Sequence, residues 1–559
     1  MNDKINARES SDVIQRLYIA MRHISNRGYY KPMGDSGATL RESLLTLKPE
    51  IYGSIAGKQV ELKGLKYVLD RLPEGIEECT DINLIADEGY RDGDFPVIIP
   101  AKRRRNCYRT DSRRMLIEVT RGRSEIYDIL THLTFLYIES HKIKNKVRPD
   151  KDAPAIKEWK YLEDFVLNNR KPGEKERKVL LVNLSLILGR TYRELRETYG
   201  NFSTGEQPDR FAHIIYWLGK RAIDETENPE LKRIINFSDK LIDSIGHHIY
   251  GEKWANKIKK VLLTHKLLHR PLHIISANMH SVMNMIYAGE ALKEQVPAPG
   301  SDPFALFKIL SEDENEALRK KVKEYAATNG LIYIKDQSGT NINVQIIDTA
   351  KIPGKHRYSR FDDHTAPVLI VMDYAFGEQA YETMDELLKP YSHGKKTDYL
   401  NVVSISIMGK AGILKGNKGD IMIPTAHIFE GTADNYPFKN QLHKSDFAGS
   451  GIKVIKGTMV TVLGTSLQNK DLLQFFRDST WRVIGLEMEG AHYQKAIQAA
   501  ARIRRNISRK VKVRYAYYAS DNPLKTGSTL ASGGLGTKGV APTYTITEKI
   551  LDQIFEDPD

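Results

Sequence analysis

Only two cysteines, Cys79 and Cys107, occur in 559 residues. That is too few for a disulfide framework or a four-thiolate zinc site, and it fits a reducing compartment. No apolar run is long enough to cross a bilayer, and the opening MNDKINARESSD lacks an apolar signal core. A cytoplasmic protein without a membrane partner is therefore expected. There is no G-x-x-x-x-G-K-[ST] loop, no nucleophile elbow and no zinc-finger spacing. His265, His269 and His273 are four apart, but Pro271 interrupts the series and no carboxylate or cysteine joins it at ligand spacing. His132, Glu139 and His141 are weaker still, so neither a metal nor a cofactor is expected. The chain also has no internal repeat and no low-complexity segment.

What is present is a soluble composition, 41% hydrophobic and 28% charged, with a formal charge of +13. The charge favours anionic partners such as nucleotides, nucleic acid or phosphate and says nothing about fold. At this length two or three domains are expected.

Helical spacing dominates the first half. Val13, Ile14, Leu17, Tyr18, Met21 and Ile24 form one stripe, with Ser11 as N-cap and Gly28 as stop. Residues 125–141, 178–188, 211–223, 231–245 and 254–269 follow the same period, while strand-like runs such as 95–99 are few. Residues 1–296 therefore read as a mainly helical, regulatory domain. The stretch QVPAPGSDP has three prolines and no hydrophobic period, and its residues 297–303 read as a linker. Residues 304–559 alternate strands and helices, which makes them an α/β domain with a mixed sheet.

Within that domain Arg482–Ala500 reads as strand, acidic corner and helix. Val483, Ile484 and Leu486 stop at Glu487-Met488-Glu489, and Gly490-Ala491 open a helical pattern. Ligands of open α/β sheets bind outside the carboxyl ends of strands, which is where this puts Glu489. The β-rich run 511–519 ends at Ser520-Asp521-Asn522-Pro523, and proline leaves Asp521 at the strand tip. Two such acids at one sheet edge can do acid and electrostatic work on one bond. Gly377, Gly409 and Gly412 follow strands, where glycine lets N–H groups approach anions or sugar oxygens; tight strand-to-helix turns need the same residues.

Taken in order, Ala375–Ala380, Gly409–Leu414, Gly419–Ile423, Gly457–Thr461, Glu487–Ala491 and Ser520–Leu524 resemble the motifs of the nucleoside phosphorylase/nucleosidase superfamily, most nearly AMP nucleosidase. The resemblance spans roughly residues 342–555. It implies a nucleoside phosphorylase-like fold, with Asp521 and Glu489 as catalytic residues. Glu489 would hold the ribose 2′ and 3′ hydroxyls, Met488 the sugar face, and Asp521 the purine N7. Glu487, Ser520, Gly377, Gly409, Lys410 and Gly412 would complete substrate binding. The sequence departs from the family at Ile413, where glycine is usual, and at Lys410, where a small residue or histidine is common. The segment TSLQNK at 465–470 lacks the expected base-stacking aromatic, for which Phe475, Phe476 or another subunit would substitute.

Lys102, Arg103, Arg104, Arg105, Arg109, Arg113, Arg114, Arg121 and Arg123 crowd one segment. Three readings are open for it: a solvated or intersubunit basic face, a site for a small anionic effector, or a nucleic-acid contact. Only Tyr108 offers a stacking platform, which weighs against single strands. The expected activity is hydrolysis of the N-glycosidic bond of a purine nucleotide, AMP to adenine and ribose 5-phosphate, by a homo-oligomer. The alternatives are a purine nucleoside phosphorylase or nucleosidase, an ATP-cleaving stress effector, and a non-enzymatic nucleotide sensor or nucleic-acid-binding protein.

Overall fold

The computed structural model describes residues 2–150, 153–204, 207–295, 302–354, 356–360, 365–432, 434–526 and 535–556. Its contacts divide the chain into two compact units. One is Met1–His247 with Ser466–Asn469, the other His248–Thr465 with Lys470–Asp559.

Helices predominate in the first unit, and their apolar stripes are its core. The helix Asn2–Arg27 buries Val13, Ile14, Leu17, Met21 and Ile24. Ser11 lies inside this helix rather than capping it, whereas Gly28 ends it at φ +81° and donates to the Ile24 carbonyl at 3.1 Å. The unit also holds a six-stranded sheet, ordered Tyr29–Tyr30, Ile234–Phe237, Asp81–Ile85, Arg114–Glu118, Cys107–Arg109 and Val97–Ile98. These strands are too short for a two-residue alternation to register over a helical one. Ile234–Phe237 lies inside the stretch 231–245 that reads as one helix; parallel pairing with Asp81–Ile85 makes it a strand.

The second unit is an α/β layer structure, the class expected from the alternation of elements. Its large sheet has ten strands: β1 (Leu272–Ser276), β2 (Leu331–Ile334), β3 (Val344–Asp348), β4 (Val368–Met372), β5 (Val402–Ile413), β6 (Ile421–Phe429), β7 (Asn435–Pro437), β8 (Val454–Thr461), β9 (Gly485–Glu487) and β10 (Lys512–Asp521). They are ordered β7-β6-β8-β9-β5-β1-β4-β3-β2, and β10 pairs with β5 and β6. The contiguous strands β4, β1, β5 and β10 are parallel. Parallel strands covered on both faces read as unbroken apolar runs, as in β4, where all five residues are buried.

Two cores lie on the two faces. One joins the sheet to Trp254 and Ile258, to Ala380 and Met384, and to Tyr493, Ala496 and Ile497. The other joins it to Val282 and Ile286, to Val322 and Ala326, and to Ile546, Ile550 and Ile554.

Two expectations are corrected by this sheet. The second unit starts near His248, because β1 lies between β4 and β5; the boundary expected at 297–303 falls after this strand. A fully buried five-residue strand has no alternation to announce it, and β1 follows the helix Ile249–Thr264 after a short connection. The proline-rich linker itself lies largely outside the described residues. Gly409–Leu414 is likewise not a strand-end turn: Gly409, Lys410 and Gly412 lie within the twelve-residue β5.

Candidate active site

The corner after β9 is built around Glu487. Leu486 pairs with Val460 of β8 on one side and with Gly412 of β5 on the other, and the helix Gly490–Gln498 starts just beyond. The Glu487 carboxylate, 3% exposed, accepts the backbone N–H of Glu489 at 2.6 Å, the N–H of Gly490 and the Thr461 hydroxyl. His427 Nδ1 lies 3.3 Å away. Burial pushes this carboxyl up, but nearby His427 and the bonds from Thr461 and Gly490 outweigh it and hold the group below its usual range. Glu487 thus satisfies the first amides of a helix whose dipole favours an anion there. Its carboxylate is turned into the protein, toward Thr461 and the amides of Glu489 and Gly490. Gly490 admits no side chain, since a Cβ would come 2.3 Å from the His427 ring.

Glu489 faces the other way. Its Oε1 accepts the N–H of Gly377 at 2.9 Å and its Oε2 that of Met488 at 3.3 Å. Gly377 sits at φ +56°, a backbone conformation that glycine adopts without strain. This aims the turn after β4 at the acid. Burial first, and the neighbouring Glu487 charge second, raise the Glu489 carboxyl to about 8, against the pull of those two amides and of Lys410. Met488, buried beside it, is 8% exposed.

Asp521 is the last residue of β10 and pairs with Gly412 of β5. It is 1% exposed; Ser520 Oγ lies 2.8 Å from its Oδ1, and Oδ2 has no hydrogen-bond partner among the described residues. Burial raises this carboxyl above its usual range, opposed by Ser520, Lys418 and Lys410. Lys410 is exposed on β5 and acts electrostatically on both acids. Glu489, Asp521, Lys410 and Gly377 therefore meet at one end of the central strands, with Met488 and Ser520 attached to their neighbours.

Two residues at this edge escaped the sequence reading. Tyr374, directly after β4, is 43% exposed, and its ring lies 3.4 Å from where a Cβ on Gly409 would stand. It supplies an aromatic face over Gly409 of β5. Its signal was its place in the Asp-Tyr-Ala-Phe-Gly segment leading into the glycine turn. Glu430, just past β6, is buried, with Oε2 on the Leu463 N–H at 3.3 Å and Oε1 without a partner among the described residues. Burial raises it to about 8; nothing in its sequence surroundings distinguishes it from a surface acid.

No group of three or more His, Cys, Asp or Glu side chains suited to a metal ion occurs among the described residues. The three spaced histidines fall in different elements: His265 follows the helix Ile249–Thr264, His269 lies in the connection, and His273 lies in β1, bonded to Ser404 at 2.8 Å. No helix among the described residues is long and apolar enough to cross a membrane.

A family model described as a family of unknown function, DUF6909, matches residues 38–228 and 304–556, more than half of the chain. No match was found among curated protein sequences. Among solved structures, the chain is similar to 5′-methylthioadenosine/S-adenosyl homocysteine nucleosidase of Campylobacter jejuni, at 11% identity over 51% of this chain and 99% of that one, with a TM-score of 0.32. It is similar to native futalosine hydrolase of Helicobacter pylori at 12% identity, over 52% and 99%, with a TM-score of 0.31. A Schistosoma mansoni uridine phosphorylase, isoform 2, is similar at 11% identity, over 54% and 89%, with a TM-score of 0.29.

Proposed function

Starting from a chain that belongs to DUF6909, a family of unknown function, we propose from its own site that the protein hydrolyses the N-glycosidic bond of a purine nucleotide, AMP first. The observation that carries this reading is the placing of two burial-raised carboxyls, Glu489 and Asp521, within the electrostatic reach of one lysine, Lys410.

Cleavage of such a bond leaves electrons on the departing base and positive charge on the sugar. Asp521, whose carboxyl burial raises above its usual range, donates a proton to N7 as the C1′–N9 bond breaks. Glu489 accepts the ribose 2′ and 3′ hydroxyls, and its negative charge steadies the oxocarbenium character of the sugar. Hydrogen bonds from the two hydroxyls favour the ionised carboxylate, so substrate binding favours loss of the Glu489 proton to solvent. Met488 and the Tyr374 ring offer apolar faces to sugar and base, and Lys410 meets the 5′-phosphate. Water adds at C1′ and loses a proton, which replaces the one Asp521 gave to the base, and the product is ribose 5-phosphate.

Chromatography of products from adenosine, AMP, ADP, ATP and methylthioadenosine tests the proposal. Adenine and ribose 5-phosphate from AMP, faster than release from the others, is expected. Preference for adenosine or methylthioadenosine replaces the nucleotide with a nucleoside, preference for ATP favours the stress effector, and no base release from any of them overturns the enzymatic reading.

A further inference from the structure

The arginine-rich segment of the first unit separates into paired and unpaired members. Arg109 pairs with Glu78, Arg114 with Asp81 at 2.8 Å, and Arg103 grips Asp128 with two bonds of 2.9 and 3.0 Å. Arg109 and Arg114 are thus spent on carboxylates of their own chain, while Arg103 lies deeper.

Behind them lies an uncompensated cluster. Arg105, 4% exposed, gives Nη2 to Asp128 at 3.0 Å and sets Nε 3.1 Å from Glu125, but its Nη1 has no hydrogen-bond partner among the described residues. Arg71, 6% exposed, lies 3.5 Å above the Tyr67 ring and gives Nη1 to the Tyr67 carbonyl at 2.9 Å, while its Nε has no such partner. The Arg121 guanidinium lies in the same field, with Glu125 as an attractive neighbour and Arg105, Arg103 and Arg104 as repulsive ones. Glu125 is itself occupied, since its Oε2 accepts the N–H groups of Thr120 and Arg121 at 2.9 Å each. His132 stays neutral here, pushed down to about 3 by burial in spite of Asp128.

Four guanidinium groups, Arg71, Arg103, Arg105 and Arg121, thus share three carboxylates: Asp128 and Glu125 at the start of the helix Gly122–Val147, and Asp70, which also pairs with Lys66. Buried charge is tolerated when paired and is costly when it is not. A helix N-terminus adds partial positive charge at the same place. We propose that this cluster is the binding site for a phosphorylated small molecule, whose phosphate oxygens are received by Arg71, Arg105 and Arg121. Guanidinium forks match phosphate oxygens two at a time. The exposed Arg104 marks the open side. A nucleic acid fits less well, because Arg109 and Arg114 on the surface are already paired with carboxylates and the donors left over on Arg71 and Arg105 are buried.

Titration calorimetry of the full-length chain with inorganic phosphate and inorganic pyrophosphate tests the site, with sodium chloride of matched ionic strength as the control. Saturable binding, tighter for pyrophosphate, is expected. Arg121→Gln should weaken it at least tenfold, and because that side chain is only half-buried its far-UV spectrum and melting midpoint without ligand should match the wild type. Asp521→Asn should bind pyrophosphate as the wild type does, which separates this site from the one on the large sheet. No saturable heat with either anion, or equal affinity in Arg121→Gln, overturns the proposal. Loss of binding in Asp521→Asn also overturns it by moving the anion to the other site.

Discussion

The backbone N–H of Glu489 donates to the carboxylate of Glu487 at 2.6 Å, so one acid holds in place the residue that carries the other. Two carboxylates two positions apart end with opposite properties. Glu487 is kept ionised by inward donors, and Glu489 is raised by burial and by that same neighbouring charge. This division of a pair is how one corner can supply both a fixed anion and a titrating group near neutrality.

Opposite effects on stability follow. Glu489 has a folded pKa of about 8 against an ordinary 4.5, so the folded state holds its proton more tightly. The stability this contributes is complete below about 4.5 and is lost as pH rises through about 8. Glu489→Gln should therefore flatten the pH dependence of melting across that window and melt higher than the wild type at pH 8, by up to a few kcal/mol. Glu430, raised in the same way, should leave a residual slope. Glu487→Gln should instead melt lower at neutral pH by about 1–3 kcal/mol, because it weakens a buried acceptor of two amides. Calorimetric melts between pH 4 and 9 check both signs.

Asp521→Asn should lower base release by about 10²–10⁴-fold while substrate still binds, since general acid catalysis contributes about that much. Equilibrium binding and single-turnover rates on the same variant measure the two effects separately; turnover within threefold of wild type removes Asp521 from the mechanism.

Glu489→Gln should damage turnover of the ribonucleotide more than that of its 2′-deoxy analogue, which lacks one of the hydroxyls at stake. The ratio of kcat/KM for the two substrates is the readout, and equal losses count against a ribose contact.

Release of base should not need phosphate. Phosphorolysis requires a phosphate held beneath the sugar, yet Val368–Gly377 and Val402–Gly412 contain no arginine and Lys410 is their one lysine. In phosphate-free buffer the sugar product should be ribose 5-phosphate, with no acceleration when phosphate is added. A sugar 1-phosphate that forms only with phosphate points to the phosphorylase.

Truncation should separate two candidate domain starts. β1 contributes Leu272, Ile274 and Ile275, each 0% exposed, to the centre of the sheet. At on the order of 1.5–3 kcal/mol per fully buried aliphatic, their loss approaches the whole stability of a typical domain, about 5–15 kcal/mol. A fragment from residue 248 should be soluble and melt cooperatively, whereas one from residue 301 should not; circular dichroism melts of the two decide.

Much of the candidate site was legible locally. The apolar run before Glu487, the glycine after Glu489 and the proline after Asp521 mark strand ends by rules that act within a few residues, and helices such as Asn2–Arg27 announce themselves by period. The direction of each acid was not legible, because Thr461 and His427 reach Glu487, and Gly377 reaches Glu489, from distant positions in the chain. The same holds for Gly409–Gly412, which a local reading bends into a turn and which pairing with β10 keeps extended. It holds for β1, whose five buried residues carry no alternation until the neighbours on both sides exist. Among the arginines at 102–123, the sequence alone determined only the density of charge. The tertiary structure decided which guanidinium groups meet a carboxylate in full, as Arg103 meets Asp128, and which, like Arg105, keep a donor without a hydrogen-bond partner among the described residues.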